Sequence, residues 1–138
     1  MAGRRRRRLA RVDARGHVVT VVTRLRVSVR VPGDEPMPSR GTVRVSVEDV
    51  SRADAPAPQL AAAAFPSARP AAGMLGPFEL TAELLPGAHY AVRVHLDRSG
   101  DGRIAAGDLV SVARQPVEAA GEVELEVPVR PVPADLTS

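Results

Sequence analysis

The sequence predicts an all-β protein, a single immunoglobulin-like or transthyretin-like β-sandwich of about seven antiparallel strands. Three observations carry that expectation. Past residue 16, apolar and polar residues alternate with a period of two, the signature of strands with one face buried. Clusters rich in Pro, Gly, Ala and Asp punctuate the alternating runs. The length of 138 residues suits one core, and neither an internal repeat nor a second domain is visible.

Taken in order, TRLRVSVRV sets Leu25, Val27, Val29 and Val31 on one face and Arg24, Arg26, Ser28 and Arg30 on the other. TVRVSVEDV repeats the pattern with Val43, Val45 and Val47. QLAAAAF, residues 59–65, has the alanine content of a helix, but Pro56, Pro58 and Pro66 close around it and favour a short strand. PFELTAELL buries Phe78, Leu80, Ala82 and Leu84, and YAVRVHL buries Tyr90, Val92, Val94 and Leu96. LVSVARQ, 109–115, reads as one further strand. EVELEVPVR opposes Val123, Leu125, Val127 and Val129 to a row of Glu122, Glu124 and Glu126, a solvated strand face. Turn signals between the runs (VPGDEPMPS, ADAPAP, FPSARPAAGMLGP, LPGAH and EAAG) fit a sandwich. The expected organisation is a disordered Arg-rich tail at 1–16, a β-sandwich at 17–131 and a disordered end at 132–138.

Composition narrows the function. The chain has no cysteine, which excludes disulfides, thiolate zinc sites and thiol nucleophiles. No apolar run approaches the roughly 18 residues of a spanning helix. Seven of the nineteen arginines lie between Met1 and Gly16 against the single acid Asp13, leaving twelve against fifteen acids in the rest. The basic character therefore belongs to a tail. Such a tail can bind nucleic acid or an anionic surface through counterion release, although no aromatic residue is interleaved for base stacking. As an export signal it lacks the apolar stretch that should follow the arginines.

The segment DRSGDGRIAAGDL, beginning at Asp97, holds the strongest chemical motif. A divalent-cation loop of the EF-hand kind supplies oxygens from positions 1, 3, 5, 7, 9 and 12. Those positions are Asp97, Ser99, Asp101, the Arg103 carbonyl, Ala105 through water, and Asp108. Gly102 stands where the loop must turn with positive φ, and Ile104 is expected to anchor it in the core. The loop resembles the EF-hand-like loops of dockerins, which also end in Asp, but it follows a strand. Arg98 and Arg103 oppose a divalent cation, so the expected ligand is weakly held Ca2+, at roughly micromolar affinity or poorer. The alternative is a polar hairpin turn.

Catalytic signals are scarce. His17, His89 and His95 are scattered, and neither G-x-S-x-G, H-x-x-x-H nor a Gly-rich phosphate loop occurs. The sequence reads as a non-enzyme. A carbohydrate-binding module is disfavoured because Tyr90, Phe65 and Phe78 are the whole aromatic set.

VRVSVEDVSRADAP, residues 43–56, resembles the YbaY-like lipoproteins, relatives of the YscW-type lipoprotein chaperones of type III secretion. Val47, Asp49, Val50, Ser51, Ala53, Asp54, Ala55 and Pro56 match the family's strand ending, and PFEL (77–80) and HYAVRVHL (89–96) follow in its order. The resemblance covers roughly residues 20–117. It implies a small β-sandwich of the cell envelope without enzymatic activity. The residues of DVSRADAP themselves suit a turn, with Asp49 and Ser51 serving backbone groups at the strand end. The lipidated cysteine and signal peptide of the lipoproteins are not found, so the sequence as it stands reads as cytoplasmic while the resemblance points to the envelope. The leading expectation is a non-catalytic binding or chaperone-like protein with a protein partner and a calcium-stiffened loop. The alternative is a polyanion-binding protein acting through its arginine tail.

Overall fold

A computed structural model describes residues 19–33, 41–51, 58–66 and 73–133. The Arg-rich segment 1–16 lies outside the described residues, as do 134–138. Eight strands form: β1 (Val21–Arg30), β2 (Thr42–Asp49), β3 (Gln59–Pro66), β4 (Met74–Leu84), β5 (Tyr90–Asp97), β6 (Leu109–Ser111), β7 (Gln115–Val117) and β8 (Glu122–Pro131). No helix occurs among the described residues. The all-β expectation holds, and each alternating run becomes a strand with its apolar set inward. Leu25, Val27, Val29, Val43, Val45, Val47, Val92 and Val127 lose essentially all exposure. Each such side chain contributes about 1.5–3 kcal/mol by leaving water.

The architecture differs from the expected sandwich of seven antiparallel strands. The strands follow one continuous path, β3-β2-β5-β6-β8-β1-β4, with β7 alongside β5. The path curls until its two ends pack together through Phe65 of β3 and Phe78 of β4, whose ring centroids lie 4.9 Å apart. The result is a nearly closed barrel. β8 is responsible: its first part runs parallel to β1, Arg24 opposite Glu122 through Arg30 opposite Pro128. Its last residues pair antiparallel with β6, Leu109 opposite Pro131. Alternation specifies which side of a strand faces the core, but neither the partner strand nor its direction.

The expected strand at 109–115 divides into β6 and β7, both on the same side of β5. At the division the Ser111 Oγ accepts the Val94 N–H at 3.2 Å, replacing a ladder bond. At the end of β2, Asp49 Oδ1 accepts the Ser51 N–H at 2.9 Å, and the Val50 N–H donates to the His89 carbonyl. The turn role expected of Asp49 is present there; residues 52–57 lie outside the described residues. Val132, assigned by the sequence to the C-terminal end, is buried and donates its N–H to the Asp108 carbonyl at 2.8 Å.

Candidate functional site

β5 delivers the chain to the loop. Arg93, His95 and Asp97 lie along it on the face opposite Val92, Val94 and Leu96, and the β2–β5 register sets Thr42 opposite Asp97 and Arg44 opposite His95. Close approach of the two strands here requires glycine: a Cβ on Gly41 would stand 2.6 Å from the Asp97 carbonyl oxygen. Within the loop Gly102 adopts φ +82°, the left-handed conformation its position demands.

Asp97 organises this loop. Its side chain is wholly buried. Oδ1 accepts from Ser99 Oγ at 3.3 Å and the Gly100 N–H at 3.0 Å. Oδ2 accepts from the Gly102 N–H at 2.6 Å and Arg44 Nε at 3.0 Å. Burial pushes this carboxyl up, but the Gly102 N–H, the Arg44 guanidinium and the Gly100 N–H, with His95 nearby, outweigh it and hold Asp97 below the usual aspartate value. Asp108, also buried, accepts the Arg98 N–H on Oδ1, and the Ala105 N–H and His95 Nε2 on Oδ2.

Of the expected ligand set, the structure brings Asp97 and Asp108 together. His95 joins them, with one potential donor atom from each residue within 4.8 Å of the others. Asp101 is not in that group; it is exposed and accepts the Arg103 N–H at 2.9 Å, which, ahead of Ser99, holds its carboxyl low. Ile104 does not anchor the loop in the core, as expected, but remains 55% exposed. The flanking elements are strands, so no facing helix covers position eight. Arg44 and His95 were not legible as partners, because only the strand register places them beside the loop.

The loop also forms the lip of an open groove of about 490 Å3 on the outer face of β3, β2, β5 and β6. Its floor is small side chains, Ser46 opposite Ala62 and, beside Arg44, Ala64. Arg93 and Glu48 pair across it at 3.5 Å, and Ile104 borders it from the loop. His95 Nε2 lies 2.8 Å from Asp108, and no hydroxyl is hydrogen-bonded to His95 among the described residues. The groove thus presents a floor of small side chains among charged and polar ones, without an activated nucleophile among the described residues.

The sequence matches the type III secretion system lipoprotein chaperones (YscW) over residues 18–125. The chain belongs to that family. No curated protein matches it. In fold it is similar to an alternative pilotin from the type II secretion system of Vibrio cholerae, with a TM-score of 0.54 and 23% identity. That similarity covers 79% of this chain and 97% of the pilotin. Membership of the family points to the cell envelope, to a protein partner and away from catalysis. No described helix is long and apolar enough to cross a membrane.

Proposed function

We propose that this protein is a non-catalytic, chaperone-like member of the YscW family that holds a segment of an envelope secretion subunit in the groove above β3, β2 and β5. The carrying observation is that the family match spans every residue lining the groove. Its form supports the reading: a floor of alanine and serine admits the backbone or small side chains of a client, while Ile104 offers an exposed apolar lip. The proposed location is the cell envelope, in keeping with the family.

The test is site-specific photocrosslinking in the native bacterium. A crosslinking side chain at Ala62 or Ala64, both exposed, should give an adduct with one secretion-apparatus protein, and one at exposed Thr81 on β4 should not. Ala64→Arg, which fills the groove, should remove the adduct formed from Ala62 without altering the circular dichroism. Equal labelling from Thr81, or none from the groove, overturns this assignment.

A further inference from the structure

We infer that Arg44 is the resident cation of the 97–108 loop, closing it from within as a divalent ion closes loops of this spacing. In such loops the first-position carboxylate and loop oxygens converge on a metal. Here the first-position carboxylate and one carbonyl oxygen, that of Gly100 at position four, meet a guanidinium. Arg44 Nε donates to Asp97 Oδ2 at 3.0 Å, and Nη2 of the same group donates to the Gly100 carbonyl at 3.2 Å. One planar fork therefore spans a carboxylate and a carbonyl oxygen, the kind of acceptor pair a guanidinium suits. It lies over the loop's turn, where a Cβ on Gly102 would meet Arg44 Nη2 at 3.9 Å.

The first-position carboxylate has no acceptor direction left for a second cation. A carboxylate offers about four lone-pair directions. Those of Asp97 are filled by Ser99, Gly100, Gly102 and Arg44. Asp108 has three donors, and Asp101, which a metal would recruit, is turned to solvent and engaged by Arg103. The strand register explains how Arg44 arrives. It stands opposite His95, two residues from Asp97 on the same face of the sheet, within diagonal reach of a long side chain. Loop closure, and with it the lip of the groove, is thereby independent of divalent ions. Arg44 acts as a positioning residue, and it and calcium are mutually exclusive occupants.

The experiment is thermal unfolding of the full chain in EDTA and in millimolar calcium. Wild type and Arg44→Lys should have the same midpoint in both. Arg44→Gln, which keeps donors but loses the charge, should melt lower in EDTA and recover several degrees in calcium, a recovery that Asp97→Asn abolishes. A calcium shift in wild type that Asp101→Ala removes would make the metal the resident cation and overturn the inference. So would an Arg44→Gln midpoint equal to wild type in EDTA. A lowered midpoint without calcium recovery would reduce Arg44 to an ordinary ion pair, which also overturns it. Should Arg44→Gln fail to fold, amide exchange of Gly100 and Gly102 in wild type decides: equal protection with and without calcium supports Arg44, and protection gained in calcium refutes it.

Discussion

Arginine meets carboxylate in two regions of the barrel, with opposite consequences. Along the outer face, β1 sets Arg24, Arg26 and Arg30 beside Glu122, Glu124 and Glu126 of the parallel β8, and Arg26 also reaches Glu79 of β4. These groups are well exposed; Arg26 and Glu124 keep 45% and 77% of their side-chain surface. At the end of β5, Arg44 meets a carboxylate with none exposed. The same chemistry forms an exposed ladder in one place and the keystone of a loop in the other. Burial makes the difference: water screens and substitutes for an exposed partner, whereas a buried carboxylate that loses its donors has nothing in their place.

The largest effect should follow Asp97→Ala. The change removes the acceptor of four donors, and stability to urea should fall by about 3 kcal/mol. A loss below about 1 kcal/mol would show that water replaces the carboxylate freely and would erase the contrast. Acid should reveal the same group. The folded value of Asp97 lies below its ordinary 3.8, so the unfolded chain takes up this proton first as pH falls. Its contribution is complete above pH 3.8 and drains away as pH falls through the lower folded value. The stability gap between wild type and Asp97→Asn should therefore narrow in acid. A gap unchanged by pH would place the effect in packing rather than charge.

The ladder should respond less. Glu124→Arg sets like charges against Arg26 and should cost about 1 kcal/mol or less, with the exchange Arg26→Glu/Glu124→Arg recovering part of it. Smallest of all, Glu124→Ala should cost only about 0.2–0.5 kcal/mol, and half-molar salt should abolish even that difference. A ladder variant as damaging as Asp97→Ala would mean that the exposed row specifies the barrel.

The sequence made the inward faces legible, because a buried strand face demands period-two alternation: Val43, Val45, Val47 and Val92, Val94, Leu96 lie where that pattern puts them. It also made the loop's local parts legible, since Asp97, Gly102 and Asp108 are set by spacing along the chain. What alternation leaves open is pairing. The barrel replaces the sandwich because β8 serves β1 and β6 together, and Arg44 and His95 enter the site through the β2–β5 register. The placement of Ile104 failed for a related reason. Its anchoring role presumes a facing element, which strand-flanked loops do not supply.

The parallel union of β1 and β8 also sets a schedule. β1 can close on β4 once residue 84 is available, but its other edge must wait for the last strand. Contacts so distant in sequence are slow to form, because the intervening chain must be closed into a loop before they bring any gain. In the interval a valine-rich strand stands open, the kind of edge that recruits a neighbouring molecule. Arg24, Arg26 and Arg30 sit on that strand. Until β8 brings Glu122, Glu124 and Glu126 alongside, positive charge on such an open edge disfavours its pairing with an identical one.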